Sequence, residues 1–419
     1  MAYEATPAAA RWIAAVRGSE ALRAAWRVTW TTRAAVLVVA IFAALSFGPA
    51  SGGLARENAA KFDEPVLTHS IAEPLLAPLA RWDAVWYLRI ADSGYGDSAP
   101  RAAFFPLYPL LIRSLAAPVG GSEAGLLVAS YAISLGAFVG ALALLYRLVS
   151  LELGRRFASP TLLLLAAFPA ALYFGAPYSE SLFLLVSVGA FYAARTDSWA
   201  WAGVCAAAAS ATRSAGLLLV IPLGMLWWGS RGRRARDAAW LLLAPVGLLA
   251  YVAWLGLVEG DALRFLDVQD AWSRELAVPL GGAWDGLTAA VDGLRQLASG
   301  SRSPVYFQEA AGDPFRIAAI NLMLFASLVF ALIACAGVFR RLPRAYGAWV
   351  AVALVLPLSF PVKPQPLMSL PRFLAVLFPI FMWLALVTEE RRITPQVVAA
   401  SAVGLGLFTA QFATWHWIS

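Results

Sequence analysis

RWDAVWYLRIADSGYGDSAPRAAFFPLYPLL, residues 81–111, is the stretch around which the rest of the chain is read. It is aromatic and half apolar, yet it carries Arg81, Asp83, Arg89, Asp92 and Asp97. A carboxylate set among tryptophans and tyrosines at a membrane surface does little for stability and is well placed for chemistry. After Arg81 and Trp82, residues 84–91 suit a short interfacial helix with Trp86 and Tyr87 at headgroup depth. Asp83 then falls near the N-cap, a role worth ~1 kcal/mol by itself and compatible with catalysis. Residues 103–111, AFFPLYPLL, place Pro106 and Pro109 among bulky apolar side chains, as an irregular segment embedded in the interface would.

The chain has 419 residues, 61% hydrophobic and 14% charged, with a mean hydropathy of +0.70. Soluble domains are about 45–50% apolar and about 25% charged, so this composition excludes an ordinary soluble protein. The apolar residues come in blocks of about 17–25, the signature of spanning helices and not of a barrel. The expected fold class is an all-α polytopic membrane protein with about eleven transmembrane helices. The expected spans are 34–50, 124–149, 160–174, 181–194, 199–212, 215–229, 238–258, 317–339, 345–360, 373–387 and 395–415, several short enough to be tilted, broken or re-entrant.

Residues 34–419 are read as a single transmembrane domain with two long polar loops, 51–122 and 259–316. Residues 1–33 lack the continuous apolar core of a cleavable signal and read as a cytoplasmic or interfacial arm. Cys205 and Cys335 both lie in apolar runs, which argues for packing and against a disulfide. The net charge of +7 comes from arginines between spans, so the positive-inside rule accounts for it and no nucleic-acid partner is implied.

Orientation follows from those arginines. Short connections after alternate spans carry Arg147, Arg155 and Arg156, then Arg195, then Arg231 to Arg236, then Arg340, Arg341 and Arg344, then Arg391 and Arg392. The opposite short connections hold only Arg213, Lys363 and Arg372. An odd number of spans therefore puts the amino terminus in the cytoplasm of a multi-pass cell-membrane protein, with both long loops outside. Asp83, Glu180, Arg213, Lys363 and Arg372, scattered along the chain, are then expected on one extracytoplasmic surface.

Three later stretches carry the remaining chemistry. In FPAALYFGAPYSESLFLL, residues 168–185, Tyr178, Ser179, Glu180 and Ser181 open a span, where an acid is also an ordinary first-turn residue. Arg213 interrupts an apolar run in SATRSAGLLL; such an arginine can snorkel, or it can grip phosphate with its planar fork. Arg372 in SLPRFLAVLFP and Lys363 in PVKPQP repeat that pattern. His69 and His416 have no partner at metal-ligand spacing. No phosphate loop, dinucleotide fingerprint or nucleophile elbow occurs, which disfavours nucleotide-driven chemistry.

Residues 81–95 with 103–111 resemble the signature of the bacterial branch of the PIG-V mannosyltransferases, related to GPI mannosyltransferase II. YSESLF at 178–183, TRSAG at 212–216 and PRF at 371–373 are similar to that family's later motifs, in the same order. The resemblance implies a GT-C-type glycosyltransferase fold, with an essential Asp on the interfacial helices of the first outer loop and a polyprenyl-phosphate sugar as donor. Asp83 matches the Trp-Asp acid, Glu180 the Ser-Glu-Ser acid, and Arg213 and Arg372 the later basic positions.

The expected function is inverting transfer of a mannosyl (hexosyl) residue to an acceptor hydroxyl of a glycolipid, glycan or protein at the extracytoplasmic face. Asp83 is the expected base. Arg81, Trp82, Tyr87, Tyr95, Tyr178, Glu180, Arg213, Lys363 and Arg372 are the expected substrate-binding residues. Cationic side chains can stabilise the leaving phosphate, so no cofactor or metal is required, although Asp92 or Asp97 could recruit a divalent ion. Two rivals are a multi-span transporter or flippase, whose usual internal repeats and midplane charges are not seen in the sequence, and a non-catalytic subunit of a glycosyltransferase complex.

Overall fold

A computed structural model of the chain describes residues 19–47, 73–96, 99–230, 232, 234–272, 274, 277–307, 313–362 and 365–416. Among these the chain is helical, with one isolated backbone bridge between Arg274 and Val362. Helix α1 spans Glu20–Phe47 and contains neither proline nor glycine. With no breaker to separate an arm from a span, Trp26 and Trp30 belong to the same helix as the span expected at 34.

The first long loop folds back as α2 (Asp83–Ser93), a 3₁₀ turn (Ala99–Ala103) and α3 (Leu107–Ala116). Helix α4 (Glu123–Glu152) starts at Ser122, whose side chain accepts from the Gly125 N–H at 3.2 Å and satisfies one of the orphan donors of the first turn. Next come α5 (Ala158–Ala167), α6 (Glu180–Arg195), α7 (Trp199–Thr212), α8 (Val220–Gly229) and α9 (Val246–Trp254). The last third holds α10 (Gly281–Ala298), α11 (Pro314–Arg341), α12 (Arg344–Ser359), α13 (Leu370–Ala375), α14 (Phe378–Glu390) and α15 (Thr394–Ala413).

Among the described residues, five helices are long and apolar enough to cross a membrane: Glu20–Phe47, Glu123–Glu152, Ala235–Glu259, Pro314–Arg341 and Thr394–Ala413. A sixth is broken, Arg155–Ala167 meeting Pro169–Gly175 at 88°. The remaining expected spans are shorter pieces, and local features mark several of their ends and bends. Pro169 ends α5, Arg213 leaves α7 in extended backbone, and Pro357 lies inside α12.

Helix α4 packs on α6, α6 on α7, and α1 lies between α4 and α15. Close approach is achieved with small residues: a Cβ on Gly203 of α7 would come 2.2 Å from the Trp240 carbonyl oxygen. The two long loops meet, since the turns Arg264–Asp267 and Val268–Trp272 pack on Ala99–Ala103. Tyr251 ties α9 to the same turn by donating to the Ala102 carbonyl at 2.8 Å.

Charge separates to the two ends of the bundle. At one end Glu20 takes Arg155 and the Tyr146 hydroxyl, and Glu152 takes Arg195 and the Tyr346 hydroxyl. At that end too, Arg341 grips Glu390 with both fork nitrogens, at 2.7 and 2.8 Å. The other end carries Glu180 and Arg213. Helix α6 runs between the two, 16 residues from Glu180 to Arg195, which is roughly 24 Å of rise.

Candidate active site

Asp83 and Tyr87 are one helical turn apart on α2, so both point from the same face, and both line a cavity of about 330 Å³. That volume is within the range of small-molecule sites. The cavity is closed on the other sides by Arg213 and Ser214, by Phe265, Gln269 and Arg274 of the second loop, and by α12 and α13. Its walls are mostly apolar, and its charged groups gather at the α2 end.

Arg372 is the hub. Its Nη1 donates to Asp83 Oδ2 at 2.5 Å, and its Nε donates to Glu180 Oε1. The same Glu180 oxygen accepts from Nη2 of Arg213. Arg213 Nε donates to the Ser179 hydroxyl at 3.2 Å, and that hydroxyl shares a proton with the Tyr87 hydroxyl at 2.8 Å. The guanidinium of Arg372 also lies over the rings of Tyr178 and Tyr173, 4.7 and 5.1 Å from their centroids. Stacking on both rings fixes its plane. Glu180 is fully buried. Removing it alone would strand two guanidinium groups, a change of the kind that costs about 3–5 kcal/mol.

The backbone around this hub is strained. Trp82 has φ 58° and Ser369 φ 70°, left-handed values that a side chain disfavours. The first precedes Asp83 directly and the second opens α13 three residues before Arg372. The Tyr178 hydroxyl holds both flanks of Trp82, accepting from the Asp83 N–H at 3.1 Å and donating to the Arg81 carbonyl at 2.8 Å. Strain of this kind persists only where the surroundings enforce it, and here they aim one carboxylate.

Of the residues singled out in the sequence, Asp83, Tyr87, Tyr178, Glu180, Arg213 and Arg372 come together, and four of these (Asp83, Tyr87, Arg213 and Arg372) line the cavity. Tyr178 and Glu180 are buried behind it and do not line it. Arg81 and Trp82 pack against Trp415, at 4.6 Å and 5.5 Å, because the left-handed turn at Trp82 directs them to the end of α15. Tyr95 is held aside, donating to the Phe104 carbonyl at 2.7 Å beside Trp254. Asp92 is exposed on the outer loop; Lys363, Asp97 and His69 lie outside the described residues. Among the described residues no three His, Cys, Asp or Glu side chains gather as a metal site.

Sequence reading passed over Arg274, Gln269 and Phe265. Nothing in AWSRELAVP marks Arg274 among the many charges of its loop; its backbone bridge to Val362 is what carries it to the cavity.

A multi-pass helical membrane protein, with an acid on its first long loop held by a buried arginine at the mouth of an apolar cavity, is the class defined here. Residues 27–226 match the model of the PIG-V mannosyltransferase family. GPI alpha-1,6-mannosyltransferase 2 of Cricetulus griseus is 36% identical over 176 residues, 39% of this chain and 35% of that protein. The Rattus norvegicus protein of that name is 37% identical over 159 residues, 36% of this chain and 32% of its own length. GPI mannosyltransferase 2 of Chaetomium globosum is 32% identical over 164 residues, 34% of this chain and 33% of its own length. The chain spans about a third of the length of these relatives. Among solved structures, the oligosaccharyltransferase AglB of Archaeoglobus fulgidus, in complex with an inhibitory peptide and a dolichol-phosphate, is similar at a TM-score of 0.45 and 12% identity, over 92% of this chain and 56% of that one. The part similar to that family, residues 27–226, includes Asp83, Glu180 and Arg213, while Arg274 and Arg372 lie beyond it.

Proposed function

We propose that this protein transfers a mannosyl residue from a polyprenyl-phosphate mannose to an acceptor hydroxyl at the extracytoplasmic face. The observation that carries the reading is the meeting of Asp83 with Arg372 and Arg213 at one cavity, Asp83 and Arg213 lying in the part of the chain, residues 27–226, that matches the PIG-V mannosyltransferase model. The acceptor is a glycolipid, glycan or protein hydroxyl.

The chemistry follows from the contacts. Arg372 occupies Oδ2 of Asp83, and among the described residues no donor reaches Oδ1. Oδ1 takes the acceptor proton as the acceptor oxygen bonds to the anomeric carbon, and the bond from that carbon to the phosphate oxygen breaks on the opposite side. The electron pair leaves with the phosphate, and inversion results. Arg213 faces the cavity with part of its fork engaged by Ser179 and Glu180, so it is already oriented to meet that charge. The apolar wall formed by Leu356, Pro357 and Phe360 suits the prenyl chain.

Asp83→Asn in the full-length protein, reconstituted with labelled polyprenyl-phosphate mannose and an acceptor extract, is expected to lose about 10²-fold or more of its turnover. Donor binding should be retained. Normal turnover in that variant would refute the assignment. A wild-type protein that only relocates the lipid across the bilayer would instead be a flippase, and one that does neither a non-catalytic subunit.

A further inference from the structure

The geometry points to Arg274, on the second outer loop, as the residue that receives the phosphate of the lipid-linked donor. This rests on the transferase reading above and changes which cation does the work. Arg213 was the first candidate from sequence, with Arg372 or Lys363 assisting, but Arg372 has given Nη1 to Asp83, Nε to Glu180 and its face to two tyrosines. Arg372 aims the base. Arg213 has given one nitrogen to Ser179 and one to Glu180. Arg274 lines the same cavity, and among the described residues no carboxylate comes within ion-pair reach of it; its guanidinium lies 5.8 Å from the Phe373 ring centroid.

The charge balance asks for an anion at this point. The cluster holds Arg213, Arg274 and Arg372 against Asp83 and Glu180, and both carboxylates are already engaged by Arg372 and Arg213. One positive charge is left over in an apolar-walled space, an arrangement that is costly until a counter-charge arrives. Burial pushes the Arg274 guanidinium down to about 10; Asp83 opposes that, and Arg372 and Arg213 add to it. A protein can hold a cation this way when its normal partner is a ligand.

The step gives Arg274 a specific part. The donor phosphate is a diester with one negative charge, and the released polyprenyl phosphate is a monoester that gains a second as the bond to the sugar breaks. A cation at the phosphate is therefore worth more in the transition state than in the bound ground state, and its loss falls on kcat more than on KM.

Two measurements on the full-length protein in nanodiscs test this: binding of labelled farnesyl phosphate, with inorganic phosphate and a phospholipid diester as competitors, and steady-state turnover of polyprenyl-phosphate mannose. Arg274→Gln is expected to weaken farnesyl phosphate binding on the order of 10- to 100-fold and to lower kcat by more than it raises KM. Arg274→Lys should recover part of both, and Asp83→Asn, which removes a negative charge beside Arg274, should bind farnesyl phosphate at least as tightly as the wild type. Inorganic phosphate should compete and the phospholipid diester should not. If the wild type binds farnesyl phosphate and Arg274→Gln binds it equally well, the assignment of Arg274 falls while the transferase reading stands. Competition by the phospholipid diester alone would make Arg274 a bilayer-headgroup contact and overturn the assignment. If the wild type binds no lipid phosphate, both fall.

Discussion

Between Arg81 and Asp83 the chain turns through a tryptophan at φ 58°, and the Tyr178 hydroxyl holds the peptide groups on either side. Tyr178 is itself fixed at the turn ahead of α6, where its carbonyl accepts from Ser134 at 3.3 Å. One phenol thus couples the early acid to the middle of the chain without touching the cavity. Tyr178→Phe keeps the ring beneath Arg372 and removes only the two hydroxyl bonds. It is expected to lower kcat about tenfold, the equivalent of one to two hydrogen bonds, with little change in donor KM. Steady-state kinetics on the purified variant checks this; an unchanged kcat would mean that Trp82 is held by other contacts.

At the scale of elements, the break between α5 and the turn Pro169–Gly175 is what lets Tyr173, Tyr178 and Glu180 enter the site. Such a break frees carbonyls inside the membrane, and something must satisfy them. Arg33 of α1 does so, donating to the carbonyls of Ala166, at 2.7 Å, and of Ala171. Its guanidinium is 5.2 Å from the Phe138 ring centroid, and a Cβ on Gly175 would sit 3.0 Å from its side chain. A Cβ there would require the arginine to give by a few tenths of an ångström. Arg33→Met leaves both carbonyls orphaned, a loss of about 2 kcal/mol or more. The expected result is a lower melting temperature in detergent, partly restored by Arg33→Lys. An undisturbed melting temperature would show that water or lipid satisfies the break as well.

For the whole molecule, the separation of charge to the two ends of α6 is the feature that supports the proposed orientation of the site. The end tied by Glu152, Arg195, Arg341 and Glu390 carries the arginine-rich connections, and the positive-inside rule puts it in the cytoplasm. On the proposed reading Asp83 and Arg274 face outward. In a background with Cys205 and Cys335 replaced, Ser299→Cys is expected to react with a membrane-impermeant maleimide in intact cells, and Arg391→Cys only after permeabilisation. The reverse pattern would turn the protein over and remove the extracytoplasmic donor from the mechanism.

Membrane residence, the all-helical class and the residues Asp83, Glu180, Arg213 and Arg372 were legible in the sequence because they are local signals. Apolar blocks report spans directly, and an ionisable residue at the edge of such a block stands out from its neighbours. The start of α1 and the breaking of expected spans were read less well, because hydropathy registers polarity and not whether a helix continues through Arg33 or stops at Pro169. Only the tertiary structure decided the division of labour. That Arg372 aims the acid, that Tyr178 clamps it and that Arg274 faces the cavity without a carboxylate partner among the described residues all depend on contacts between positions far apart in the chain. A residue's type states what it can bond, and packing alone states which of those bonds are already taken.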